Sequence, residues 1–261
     1  MMDAGERPLQ ASPHATRVRL QEGTLPGMNV TSSNHPLDNV IWNALATVQS
    51  GWGRGGELAR RFRPEFARFA GMPALSEAGF EALGADMAPD EIVAMFEESD
   101  FDPGPLFEVV ERKNLMQMVG PTTGAVRDAG RFRALTARDV AQMTALVQLT
   151  APGPWFDRTP ELGRFLGFEA QGRLVAMVGE RMRVPGHTEI SAVCCHPDWR
   201  GQGLPADLMR LVSQAIVERG ETPFLHVLAE NASAIGLYEK LGLRRRRQAR
   251  LTILRRNETV A

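Results

Sequence analysis

Cysteine is almost absent from this chain. Two occur in 261 residues, and they are neighbours, Cys194 and Cys195. On a strand, adjacent side chains point to opposite faces, so the pair excludes a disulfide framework and leaves the cytoplasm as the default compartment. Lysine is as scarce: of 30 basic residues only Lys113 and Lys240 are lysine. Tyrosine occurs once, at Tyr238. Long apolar runs are missing too. None reaches the roughly 18–20 residues that a bilayer span needs. Arg7, Arg17, Arg19 and Glu22 interrupt every candidate for a secretory core. The expectation is a cytoplasmic protein with no membrane partner.

Apolar residues make up 43% and charged residues 23%, the balance of an ordinary packed globular chain. The net charge of −1 hides an asymmetry. Residues 1–130 hold 11 basic and 18 acidic side chains, and residues 131–261 hold 19 and 13. A positive C-terminal half suits a polyanionic ligand, and solvated surface arginines explain it equally well.

Residues 1–35 are rich in Pro, Gly, Ser, Asn and His without an apolar period, and read as a mobile tail. An N-terminal α/β domain is expected over 36–125. It begins with a helix on which Leu37, Val40, Ile41, Ala44, Leu45 and Val48 recur at three- and four-residue steps. Strands are expected at 91–96 and 107–119, and "GPTTGAVRDAG" (120–130) reads as a linker. A second domain then runs over 131–256. A short strand, 131–135, leads to a helix capped by Thr136 with Asp139 in the capping-box position. "PELGRFLG" (160–167) opens with a proline suited to a first helical turn. An antiparallel hairpin follows over 174–195, then a helix from Leu204 to Arg219, a buried strand at 223–228, a helix opened by Asn231 and closed by Gly242, and a last strand near 244–254.

The junction "RGQGLP" (200–205) lies between a strand and a helix. It is either a tight turn or a phosphate cradle, because helix N-termini carry unpaired N–H groups and partial positive charge. Further along come a second buried strand, Asn231 at a helix start, and Tyr238 followed by "EKLG". Together these residues resemble the GNAT superfamily of acyl-CoA-dependent N-acetyltransferases, especially members related to glycine N-acyltransferase. The resemblance covers roughly 131–256. Its Arg-x-x-Gly-x-Gly/Ala signature aligns with Arg200, Gly203 and position 205, and its Asn…Tyr-x-x-x-Gly-Phe element with Asn231, Tyr238, Gly242 and Leu243. Two positions depart from it: Pro205, which has no N–H to donate, and Leu243 in place of Phe.

The resemblance implies a GNAT-type α/β fold, a mixed and mostly antiparallel sheet flanked by helices. It also implies acetyl-CoA as cosubstrate and a small-molecule or peptide amine as acceptor, with the chain a monomer or homodimer. The diphosphate is then expected on Arg200, Gly201, Gln202, Gly203, Leu204 and Ala206, pantetheine along Val193, Cys194 and Cys195, and Asn231 beside them. Tyr238 matches the general acid for the leaving thiolate. Glu189, His196 and His226 are the candidate bases, each with a structural reading beside it. The stretch 153–165, with Trp155 and Phe156, is a candidate acceptor wall. The N-terminal half is expected to be a diverged copy of the same fold that shapes the acceptor site. The alternative function is an acyl-CoA-binding regulatory module without catalysis, which Pro205 favours. "RRRR" (244–247) invites nucleic acid, but strand alternation divides its charge between two faces and no interleaved aromatics or zinc pattern accompany it, so a solvated edge is expected instead.

Overall fold

A computed structural model describes residues 35–258, so all of the expected tail except His35 lies outside the described residues. The order of elements is α1 (Val40–Ala46), β1 (Gly53–Gly55), β2 (Arg60–Phe62), β3 (Ala70–Gly71), α2 (Glu77–Ala85), β4 (Ile92–Glu97) and β5 (Phe107–Val119). It continues with β6 (Phe132–Ala134), α3 (Val140–Thr150), β7 (Phe165–Ala170), β8 (Arg173–Val184), β9 (His187–Cys195), α4 (Leu204–Glu218), β10 (Thr222–Leu228), α5 (Ala232–Lys240) and β11 (Arg244–Arg256). Strands β1–β3 form a small sheet. The other eight form one large sheet in the order β4-β11-β5-β10-β9-β8-β7-β6. Every neighbouring pair in it is antiparallel except β9 and β10, which run parallel.

The apolar patterns form the elements they predict. Helix α4 buries Leu204, Leu208, Met209, Val212 and Ile216 along one stripe, against Val175, Ala176, Val178 and Ile190 of β8 and β9. Such a contact is worth roughly 1.5–3 kcal/mol per fully buried aliphatic side chain. Helix α1 and the small sheet cover Phe96, Leu115, Met182, Val184 and Phe224. Helix α2 closes a separate core with Phe80 and Leu83 over Val93, Met95 and Leu254. Thr136 and Asp139 make the expected capping box: the Thr136 amide donates to Asp139 Oδ2 at 2.7 Å.

Three expectations change. Residues 160–167 keep a helical turn only over Thr159–Leu162, and the chain then enters β7, whose Gly167 backs onto the side chains of Leu135 and Leu174, which a larger residue would have to displace. The segment 120–130 does not separate two sheets. Strand β5, from before it, lies between β10 and β11, from after it, pairing Phe224 with Val119 and Arg244 with Val119 on its two edges. The "RRRR" run is an edge, since β11 pairs there with β5 alone, and Arg244 and Arg245 are exposed, but its second half is not free in solvent. A bulge between Arg245 and Arg247 breaks the alternation, so Arg246 and Arg247 both reach Asp38 while Arg245 turns to Glu239.

Because β5 fills the gap between β10 and β11, residues 131–261 alone would expose two inner strand edges. That fragment is expected to be insoluble or to lack a cooperative melt by circular dichroism, and a soluble, cooperatively melting fragment would contradict the interlocked sheet.

Candidate active site

Parallel pairing of β9 with β10 lasts for three residue pairs, from Thr222 opposite His187 to Phe224 opposite Glu189. Beyond that point β9 continues to Cys195 on β8 alone, and β10 continues on β5. Peptide groups of β9 that face β10 past Glu189 therefore have no ladder partner there. The β9 edge is reshaped further by a bulge opposite β8 between Ser191 and Cys194, where Ala192 has φ of 51°. A non-glycine residue in that region is strained, and such residues cluster at functional sites.

The parting opens onto a cleft of about 930 Å³. Its walls are Val193 and Cys195 of β9, the turn Arg200–Gly201–Gly203, the start of α4 at Pro205 and Ala206, and α5 from Asn231 to Lys240, including Tyr238. Gly201 and Gly203 sit at φ of 76° and 73°, which only glycine adopts without strain. This geometry exposes the first turn of α4, where the amides of Leu204 and Ala206 have no intrahelical acceptor. No carboxylate lines the cleft, whereas Arg200 and Lys240 do, and neither has an ion-pair partner among the described residues. Such a lining suits a polyanion.

Comparison with known proteins agrees with this geometry. The FR47-like protein family matches residues 165–251. A candidate acetyltransferase of the GNAT family from Novosphingobium aromaticivorans, known from a crystal structure, is 39% identical, with 86% of this chain and 100% of that one covered and a TM-score of 0.78. The chain belongs to the GNAT family.

Two more distant structures share the fold of this GNAT protein. A GCN5-related N-acetyltransferase from Kribbella flavida is 18% identical, covering 84% of this chain and 96% of its own at a TM-score of 0.53. One from Sphaerobacter thermophilus is 15% identical, covering 83% and 90% at a TM-score of 0.50. No curated protein matches the sequence. No described helix is long and apolar enough to cross a membrane.

Most residues singled out in the sequence meet at the cleft: Val193, Cys195, Arg200, Gly201, Gly203, Ala206, Asn231 and Tyr238 all line it. Asn231 also caps α5, its side chain accepting from the Ala234 amide at 3.0 Å. Leu204 is buried and reaches the site only through its backbone. Gln202 does not line the cleft; its carbonyl is held by Arg127, a residue sequence reasoning had assigned to a linker. Cys194 points away into the core beneath α3, and Cys195 faces the cleft, as neighbours on a strand do. Burial pushes the Cys194 thiol up to about 11 and raises that of Cys195 despite Arg200, so both stay protonated and neither is an activated nucleophile.

Tyr238 is 9% exposed, and no described residue hydrogen-bonds its hydroxyl. Burial, with a smaller contribution from Cys194, pushes its pKa up to about 12. The phenol therefore keeps its proton throughout the neutral range and is available as a donor.

Glu189 is elsewhere. It is wholly buried and does not line the cleft. Arg181 grips both its oxygens at 2.9 Å, and His226 Nδ1 lies 2.8 Å from Oε1. Burial alone would raise its pKa; the charge of Arg181 and the hydrogen bonds from His226 and Arg181 outweigh burial and hold it at about 2. An acid this strong, with both oxygens engaged, is a poor base. The other two candidate bases also miss the cleft. His196 caps a short turn, its Nδ1 accepting from the Asp198 amide at 3.2 Å.

His226 belongs to a chain of side chains crossing the sheet. Gln117 Oε1 accepts from Arg246, which can only donate, so the Gln117 amide nitrogen must face His226 Nε2 at 3.0 Å and Leu37 O at 3.0 Å. His226 Nε2 is then the acceptor, and Nδ1–H donates to Glu189. Arg181, at the end of this chain and stacked on Phe69, lines a recess beside the cleft with Pro152–Trp155, Thr159, Phe165, Ser191 and Ala192. The recess has room for about one water molecule. Trp155 lines this recess, while Phe156 lies under Arg68.

Glu189→Gln leaves the Arg181 charge buried without its partner, a loss of roughly 3–5 kcal/mol. The sign with pH follows from the depressed pKa. The stabilisation is full above about 4.5, the ordinary value, and vanishes as pH falls towards 2. Melting curves are expected to show a large deficit for Glu189→Gln at pH 7 that narrows below pH 4. A deficit independent of pH would contradict the pairing.

Proposed function

We propose that this GNAT protein moves an acetyl group from acetyl-CoA to a primary amine of a small molecule or peptide. What carries the reading is the meeting, in one cleft, of the α4 amide turn, the unpaired edge of β9 and the lone phenol. The residues present fit coenzyme A. The amides of Gly203, Leu204 and Ala206, with Arg200 and Lys240, would hold its diphosphate. The free edge of β9 at Val193–Cys195 would pair with the amides of its pantetheine arm. Pro205 removes one donor from the turn, and Lys240, which sequence reasoning did not single out, adds a charge on the opposite wall.

Bound acetyl-CoA supplies an activated thioester. The chain's own part is to place and polarise it. The bulge leaves Ala192 and Val193 without a register partner on β8, and a backbone N–H freed in this way could stabilise a developing oxyanion. Tyr238 holds a proton beside the same edge for the departing sulfur. Among the described residues no imidazole or carboxylate lines the cleft or the recess. The acceptor amine therefore loses its proton to solvent, and acceptors that are neutral near the working pH are favoured. Glu189 serves here as a structural counter-charge for Arg181, in place of the base that the family resemblance implies.

Acetyl-CoA consumption, screened against amino acids, polyamines, aminoglycosides and peptides, tests the reading. Tyr238→Phe is expected to lower kcat by about 10²–10⁴-fold with coenzyme A affinity unchanged. Equal turnover in the variant would remove Tyr238 from the chemistry. Binding of coenzyme A without turnover on any acceptor would favour the regulatory module that Pro205 suggested. Since the phenol ionises near 12, kcat/KM is expected to rise with pH as the acceptor deprotonates and to show no falling limb below pH 10. A falling limb near pH 8 that disappears in Tyr238→Phe would contradict the assignment.

A further inference from the structure

We infer that Arg127 is a positioning residue for the phosphate turn, holding the Gln202–Gly203 peptide so that its N–H faces the cleft. The inference rests on the coenzyme A reading above and adds a residue from outside the aligned motif.

Arg127 lies in the segment that joins β5 to β6, and that segment is strapped to the helices. The Thr122 amide donates to Ser213 Oγ of α4 at 2.9 Å, the Thr123 amide to Leu241 O at 2.6 Å, and Arg210 Nε to Thr123 O at 2.9 Å. From the end of this strap Arg127 reaches the turn. Its Nε donates to Asp207 Oδ2 at 3.0 Å, and its Nη2 donates to the Gln202 carbonyl oxygen. Asp207 is wholly buried, and its other oxygen takes Arg210 Nη1 at 3.0 Å, so the guanidinium is anchored from below.

A trans peptide is planar, with its C=O and N–H pointing in opposite directions. With the Gln202 oxygen fixed on Arg127, the Gly203 N–H must point the other way. Gly203 lines the cleft and Arg127 does not, so the other way is towards the anion site. The guanidinium also lies against Gly203 itself: a Cβ there would come within 2.2 Å of Nη2. Glycine at 203 has access to both signs of φ, so this peptide can rotate at little cost. Rotated, it would present a carbonyl oxygen to the diphosphate, which repels. Arg127 selects the useful orientation. The selection matters more here because Pro205 leaves the turn one N–H short. Arg127 also cancels the charge of Asp207, which sits in the first turn of α4 and would oppose an anion there.

Calorimetry on the full chain with coenzyme A and with dephospho-coenzyme A tests this, using Arg127→Lys and Arg127→Met. Each variant is expected to bind both ligands on the order of tenfold more weakly, because lysine keeps the charge but cannot span Asp207 and the Gln202 carbonyl together. The Gly203 amide resonance should move on ligand addition in the wild type and move less in the variants, a change that general loosening of the fold would not confine to one amide. Should Arg127→Met fail to fold, Arg127→Gln with Asp207→Asn leaves no unmatched carboxylate and carries the same expectation. Wild-type affinity in Arg127→Lys would overturn the positioning role and leave only charge. Weakened binding of coenzyme A with unchanged binding of dephospho-coenzyme A would overturn it in favour of a contact to the 3′-phosphate. A wild type that binds neither ligand would overturn the coenzyme A reading and this inference together.

Discussion

Two parallel strands that stop pairing after three residues leave backbone donors and acceptors pointing into empty space. Burying such groups without partners is costly, so a stable sheet either closes the gap or keeps it for a ligand that supplies the missing bonds. In this protein the gap between β9 and β10 is kept open, and the molecule is built around it. Strand β5 holds the far edge of β10 and strand β8 holds the far edge of β9, so neither strand can move to close the fork. The turn of α4 and the face of α5 then wall the opening with amides, two cations and one phenol.

The face under α1 shows how the fork is fastened. Glu189, at the last paired position of β9, meets His226, two residues past its own partner on β10. The bond ties the two strands together where their backbones part. Gln117 on β5 and Arg246 on β11 extend the chain to Asp38 ahead of α1, so the N-terminal half is coupled to the fork by polar contacts as well as by the core around Phe224 and Phe96. In such a chain each member fixes the hydrogen-bonding role of the next, which makes it costly to disturb and well suited to holding strands in register.

Much of the C-terminal half was legible in the sequence because local signals there are strong. The apolar stripe of α4, the glycine at 220, the Asn231 cap and the 174–195 hairpin are each read within a few residues, and each forms. The glycine turn before α4 was legible for the same reason, since Arg200, Gly201 and Gly203 lie within four residues of one another. What could not be read depends on residues far apart in the chain. Strand β5 was recognised as a strand, but nothing local announces that it crosses into the C-terminal half. Glu189 looks like a strand-start carboxylate, and only the fold brings Arg181 and His226 to it. Arg127, in a stretch of Gly, Pro and Thr, was indistinguishable from a linker arginine, though it stands 75 residues before the carbonyl it holds. The "RRRR" run was half legible: it is an edge with Arg244 and Arg245 exposed, but alternation assumes a regular strand, and a bulge turns both Arg246 and Arg247 to Asp38.

These features converge on one claim: the turn at the start of α4 and the lone tyrosine face the two ends of the same bound thioester carrier. The most direct measurement is a crystal structure of the protein with coenzyme A. The account predicts the diphosphate on the amides of Gly203, Leu204 and Ala206, the pantetheine arm paired with the free edge of β9, and the sulfur within hydrogen-bonding distance of the Tyr238 hydroxyl. Coenzyme A bound outside this cleft, or bound with its sulfur remote from Tyr238, would contradict it.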